Sequence, residues 1–207
     1  MVRRLSTYLL ASRPANPRVL NLGAGAQAIE KQLRMNADSN HAVKRGGLRD
    51  RLKDSSIVTL DIAAIPARRL LNQAYTPHVR ADSRRLPFQS GLIDMVISNH
   101  SIDMLRAEPA GFQSALGEVA RVLTPEGRFD FALHHASLFP TLCSYYDIKG
   151  ERSWQSLFYD SARQNPYYDS ALDITVDFQV SGLCVTAVSK IQAGADTWWE
   201  VSGTKDA

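Results

Sequence analysis

Short apolar runs of strand length, each followed by a stretch of helical period, constrain this chain more than any other feature. Arg18 to Leu22 is an apolar strand that breaks into Gly23-Ala24-Gly25, and Ala26 to Met35 then carries Ile29 and Leu33 at i, i+4 spacing. A polar segment at about 36–56 lacks either period and predicts a surface insertion. Ile57 to Leu60 predicts a second strand ending on Asp61, and Pro66 suits the first turn of a helix running to about Ala74. His78 to Ala81 predicts a third strand ending on Asp82. Leu92 to Ile97 predicts a fourth, whose apolar run suits burial on both faces. Ala110 to Leu123 reads as a helix with Phe112, Leu116, Val119 and Leu123 on one stripe, and Arg128 to Leu133 as a fifth strand after a Thr124–Gly127 turn. Ser153 to Arg163 predicts another helix, and Asp173–Val180 with Cys184–Ile191 predicts a closing antiparallel hairpin through Ser181-Gly182-Leu183. Such alternation implies an α/β sandwich whose sheet is mostly parallel with an antiparallel edge.

Composition bounds the rest. The chain has 207 residues, 44% hydrophobic and 22% charged, which suits one globular domain spanning 1–207. Its net charge of +3 is unevenly spread. Arg3, Arg4, Arg13 and Arg18 open the chain without an acid, and Arg34 to Lys53 is again rich in bases. From residue 134 onward, nine acids face five bases. Cys143 and Cys184 lack CxxC or histidine spacing, so neither a disulfide framework nor a metal site is expected. No run approaches the ~20 apolar residues of a membrane span. The apolar stretch near the start is short and broken by Ser6, Thr7 and Tyr8, so a cytoplasmic protein is expected.

Gly23 and Gly25 lie between the first strand and its helix, where glycine lets a ligand approach the main chain and the helix start offers unpaired N–H groups. Open α/β sheets hold nucleotide cofactors at such a junction. Gly23, Gly25 and Ala28 also satisfy the relaxed dinucleotide fingerprint, so the turn by itself leaves NAD open. Asp61 and Asp82 close successive strands. A carboxylate at the first can accept from both ribose hydroxyls, and one at the second can reach an adenine amino group. Each could instead be the cap of a following helix.

Val19 to Gly25, Thr59 to Asp61, Ala81 to Phe88 with its Asp82 and Leu86-Pro87-Phe88, Leu92 to Asn99, and Glu118 to Gly127 stand in one order along about residues 18–133. This set resembles the class I S-adenosylmethionine-dependent methyltransferases. The resemblance implies a Rossmann-like three-layer sandwich with a mostly parallel seven-stranded sheet and a C-terminal antiparallel hairpin. It implies S-adenosyl-L-methionine as cofactor. Asn21, Gly23, Ala24 and Gly25 would lie along the methionine part, Asp61 would hold the ribose and Ile62 would pack near the adenine. Asp82 and Ser83 would face the adenine amino end, and Asn99 would pass close to the sulfonium. The chain departs from the family at Asn21, where an acid is usual, and at Gln27, where a third glycine is common.

Methyl transfer from a sulfonium needs alignment and exclusion of water, and a base only where the acceptor must lose a proton. His100 follows the fourth strand and His134 and His135 end the fifth, so His100 and His134 are the candidate catalytic bases. Asp103 would orient His100 or cap the next helix. The aromatic stretch 136–170, including Tyr145, Trp154, Tyr167 and Tyr168, would suit the pocket of a small organic acceptor or pack the outer helix. Nucleic acid is disfavoured as acceptor, because the basic residues are interspersed with acids and lack an aromatic platform. Trp198 and Trp199 are expected at a sheet edge or a homodimer contact. A non-catalytic binding or scaffold protein of the same fold is the alternative function.

Overall fold

In the computed structural model the described residues are 17–23, 56–61, 78–107, 110–138, 167–194 and 196–206. Five parallel strands come first: β1 (Arg18–Leu22), β2 (Ser56–Asp61), β3 (His78–Arg80), β4 (Ile93–Asn99) and β5 (Leu123–His134). An antiparallel pair, β6 (Leu183–Ala193) and β7 (Asp196–Lys205), completes a seven-stranded sheet in the order β3-β2-β1-β4-β5-β7-β6. The mostly parallel α/β sheet with a terminal antiparallel pair is therefore as the sequence implies. The helices read over 26–35, 66–74 and 153–163, and nearly all of the 36–56 insertion, lie outside the described residues.

The central strands are fixed by burial. Val19, Leu20, Asn21 and Leu22 of β1 are all buried, as expected of a strand covered on both faces. Arg18 fastens the start of β1 to that of β4, donating from its backbone N–H and guanidinium to Asp94 at 2.8–2.9 Å. Between Ile93 and Met95 of β4 the β5 partner jumps from Leu123 to Arg128, which sets Thr124–Gly127 outside the ladder at the predicted turn.

Helix α1 (Gly111–Val122) lies on one face and buries Phe112, Ala115, Leu116 and Val119. Its polar side holds the loop after β3. Glu118 accepts from the Leu86 N–H at 2.7 Å, and Arg121 donates to the carbonyls of Leu86 and Phe88 at 2.9 and 2.8 Å and to Glu118. The motif around Glu118 and the Leu86-Pro87-Phe88 turn are thus two halves of one hydrogen-bonded joint.

The closing hairpin is displaced from its predicted position. Residues 173–180 are not a strand: α2 (Ala171–Gln179) is a helix, with the Ser170 hydroxyl accepting from Leu172 N–H at its start. The segment alternates Ile174, Val176, Phe178 and Val180, which imitates a strand. Only Ile174 and Phe178, one helical turn apart, are buried, while Val176 and Val180 are exposed. Gly182, at φ +80°, ends the helix, with its N–H on the Gln179 carbonyl, and β6 starts at the next residue. Phe178 packs with Phe129 and Phe131 at centroid separations of 5.2 and 5.7 Å. Trp198 and Trp199 lie in β7, an interior strand, and are buried, so they do not cover an edge. The Trp199 indole N–H donates to the Tyr168 carbonyl at 3.0 Å. The Tyr168 hydroxyl donates to Asp177 at 2.6 Å, and Arg106 lies 3.7 Å over its ring. Tyr168 therefore packs α2 to the sheet and is a core residue.

Candidate active site at the carboxyl edge of the sheet

All five parallel strands point their carboxyl ends to one edge. The chain runs outward from β1 in both directions, which makes the β1–β4 gap the switch point where open α/β sheets bind ligands. Register sets three predicted residues on one level. Leu22 pairs with Leu60 and with Ser98, so Gly23 stands level with Asp61 on one side and Asn99 on the other.

Gly23 has φ +64° and donates its N–H to the Leu60 carbonyl at 2.8 Å. A Cβ built there would fall 1.5 Å from the Ser101 hydroxyl oxygen, so the turn after β1 and the loop after β4 are in direct contact. Asn21 is 1% exposed, and its side-chain amide nitrogen has no hydrogen-bond partner among the described residues. The Ser98 hydroxyl is likewise buried without one. A buried donor left unsatisfied is costly unless a ligand meets it. The orphaned Asn21 amide therefore fits a polar ligand group at this turn, while the side on which a Gly23 Cβ would project is filled by Ser101. Ala24, Gly25 and Ile62 lie outside the described residues.

Asp82 is engaged otherwise than expected. Its carboxylate accepts from the Arg84 backbone N–H at 2.9 Å and from the Arg84 guanidinium at 2.6–3.0 Å. These contacts use most of what a carboxylate can accept. The Arg84 hydrogen bonds hold the Asp82 carboxyl below its ordinary range. An adenine amino group would have to share Asp82 with Arg84. An open cleft of about 580 Å³ borders this turn, lined by Asp82, Arg84, Arg85 and Ser114, with Ser83 adjacent in the chain.

The histidines form a second cluster at the ends of β4 and β5. His100 has φ +53°, a left-handed conformation that costs a non-glycine residue about 1–3 kcal/mol, and its N–H donates to the Ala132 carbonyl at 2.8 Å. Its ring centroid lies 4.7 Å from that of His134 and 6.4 Å from that of Trp198, and the Tyr167 ring lies tilted at 4.8 Å from His134. Asp103 is fully buried, in the 3-10 turn Ile102–Ala107, and one of its oxygens takes both the His134 backbone N–H and Nδ1, the latter at 3.0 Å. Asp103 thus serves His134, rather than orienting His100. Burial pushes the Asp103 carboxyl up and the His134 imidazole down. Their mutual charge and hydrogen bonds outweigh both effects, so Asp103 titrates below and His134 above its ordinary value. His135 belongs to the opposite face beside Trp199, its Nδ1 accepting from Ser137 N–H, and burial followed by the Lys190 charge lowers its pKa.

Sequence reasoning missed the Asp103–His134 pair. The two are 31 residues apart, and only the adjacency of β4 and β5 brings them together. Trp198 was also missed as a wall of the histidine cluster. Its position opposite His134 in the β5–β7 register follows from the true hairpin and not from the predicted one.

A mostly parallel sheet with Gly23 at its switch point and Asp61 and Asp82 following successive strands is the arrangement at which open α/β sheets bind nucleotide cofactors. Residues 43–131 match the family model described as a methyltransferase domain. The chain is 27% identical over 150 residues to the malonyl-[acyl-carrier protein] O-methyltransferase of Geobacter sulfurreducens, a match over 70% of this chain and 49% of that one. It spans about half the length of that curated relative. A structure of an S-adenosylmethionine-dependent methyltransferase from Methanosarcina mazei superposes with a TM-score of 0.61 at 11% identity, over 94% of each chain. The Burkholderia thailandensis 1,6-didemethyltoxoflavin-N1-methyltransferase, bound to its namesake substrate and S-adenosylhomocysteine, gives 0.57 at 12% identity, over 93% of this chain and 72% of that one. The chain is thus similar to S-adenosylmethionine-dependent methyltransferases in sequence over part of its length and shares their fold. Among the described residues no helix is long and apolar enough to cross a membrane.

Proposed function

We propose that this protein transfers a methyl group from S-adenosylmethionine to a small-molecule acceptor. The observation that carries the reading is the single level of Gly23, Asp61 and Asn99 across the switch point, in a chain whose residues 43–131 match the methyltransferase-domain model. Asn21, Gly23, Ala24 and Gly25 would hold the amino-acid end of the donor, and Asp61 and Ile62 its ribose and adenine side. Asp82 and Ser83 would serve the adenine amino end, and Asn99 would lie beside the sulfur. The bound donor supplies an electrophilic methyl group on a sulfonium.

The chain's own contribution is then alignment and exclusion of water. His134, backed by Asp103, is the proton acceptor at the acceptor end, and His100 forms the adjoining wall. Tyr167 and Trp198 flank the two histidines with aromatic surface, which favours a small organic acceptor over nucleic acid. A cytoplasmic protein, alone or as a homodimer, accords with this reading. A thermal-shift series with S-adenosylmethionine and S-adenosylhomocysteine tests it. At a hundred times its dissociation constant, either ligand should add about 2.7 kcal/mol of stability. Absence of any shift in folded protein would sink the proposal. Binding without transfer to any acceptor would favour a non-catalytic member of the same fold.

A further inference from the structure

Asn21 is the penultimate residue of β1, two positions before the left-handed Gly23. Its side chain is buried, and the amide nitrogen meets no hydrogen-bond partner among the described residues. Strand alternation puts it on the same face as Val19, and the register sets Ile97 beside it on β4 and Thr59 on β2. Val19 and Ile97 are themselves buried and pack together. None of these three neighbours carries a charge. The amide therefore stands in an uncharged place, away from water, with N–H donors to satisfy. An unmet donor there costs the folded chain until an acceptor arrives.

The amino-acid end of S-adenosylmethionine carries an ammonium and a carboxylate, which make opposite demands on a buried side chain. An ammonium brings only donors. Beside a neutral amide flanked by Val19, Ile97 and Thr59 it would be a buried cation with no anion at hand. A carboxylate brings only acceptors and takes the N–H groups already there. We infer that Asn21 is a specificity-determining residue: its amide donates to the carboxylate of the methyl donor's amino-acid end, and the ammonium is turned away from it. This rests on the methyltransferase reading above and sharpens it. Asn21 stands where the resembling family usually has an acid, and an acid would repel that carboxylate, so the preference sets this chain apart from the proteins it resembles.

Calorimetric titration of the full chain with three ligands tests this. They are S-adenosylhomocysteine, its deaminated analogue, which keeps the carboxylate, and its decarboxylated analogue, which keeps the ammonium. The deaminated analogue should bind within a few-fold of S-adenosylhomocysteine, and the decarboxylated one about ten-fold or more weaker. In Asn21→Asp the two carboxylate ligands should lose about ten-fold or more in affinity, while the decarboxylated analogue loses nothing or gains. That loss should shrink as pH falls, because the introduced carboxyl, once protonated, again offers a donor. Asn21→Leu, of similar size, should also weaken the two carboxylate ligands, while the unbound protein becomes no less stable because an unmet donor is gone. It decides the matter if Asn21→Asp does not fold. Tighter binding of S-adenosylhomocysteine by Asn21→Asp overturns the inference. So does a native preference for the decarboxylated analogue, or an equal loss of all three ligands in either variant. If the native chain binds none of the three, the methyltransferase reading itself falls.

Discussion

A methyl group added at Gly23 would have nowhere to go. It would collide with the Ser101 side chain and would also force a β-carbon into the left-handed region at φ +64°. The backbone term alone costs about 1–3 kcal/mol. Gly23→Ala should therefore lower the unfolding free energy by at least that much in a denaturant titration, and should weaken S-adenosylhomocysteine binding. Ser101→Gly in the same chain should recover part of the stability, because it removes the clash and leaves the strain. The Asp103–His134 pair makes a second prediction, with a sign. His134 titrates above its ordinary 6.5, so its contribution is full below that pH and is lost as pH rises through the raised value. Asp103 titrates below its ordinary 3.8, so its contribution is present above that pH and is lost as pH falls through the lowered value. The pair is intact between these limits. Asp103→Asn should therefore cost more stability at about pH 5.5 than at about pH 8.5, read from paired denaturation curves. At this scale the sequence set His100 and His134 at the ends of β4 and β5, where their rings meet, and mispaired their acid. Proximity in the chain favoured Asp103 with His100, and the contact with His134 exists only once two strands lie side by side.

The joint between α1 and the loop after β3 sets the position of Asp82. Arg121 donates to two carbonyls of that loop and to Glu118, which in turn accepts the Leu86 N–H. The Arg121 side chain is 34% exposed, so solvent screens the ionic part and the carbonyl contacts carry most of its value. Arg121→Ala should cost about 1–2 kcal/mol and speed amide exchange across residues 86–88, measurable by hydrogen exchange with mass spectrometry. Element boundaries were most legible where hydrophobic runs are continuous: β1 spans Arg18–Leu22 as read, and β2 and β4 differ from their predicted spans by one or two residues at each end. Legibility failed at α2. Four apolar residues at period two outweighed the Ser170 cap and the Ile174–Phe178 spacing, and the hairpin was then read about ten residues early. The exposed Val176 and Val180 supply the false strand signal.

On the scale of the whole molecule, one buried aromatic cluster ties α1 and α2 to β5. Phe178 from α2 meets Phe129 and Phe131 from β5 and Phe112 from α1. Phe178→Ala should cost about 3–5 kcal/mol, a large part of the stability of a domain this size, and would be read as a shifted denaturation midpoint with an unchanged slope. Strand order adds a consequence for synthesis. Among the described residues β7 is the last strand made and the one that seals β5, while β6, made before it, ends up on the outside. Until residues 196–205 leave the ribosome, the edge of β5 with its Phe129, Phe131 and Leu133 has no partner. β6 cannot be laid down in its place without β7 between them. The sheet therefore closes only once β7 has been made, by pairing at long sequence separation, which is slow and leaves an apolar strand edge open to other nascent chains.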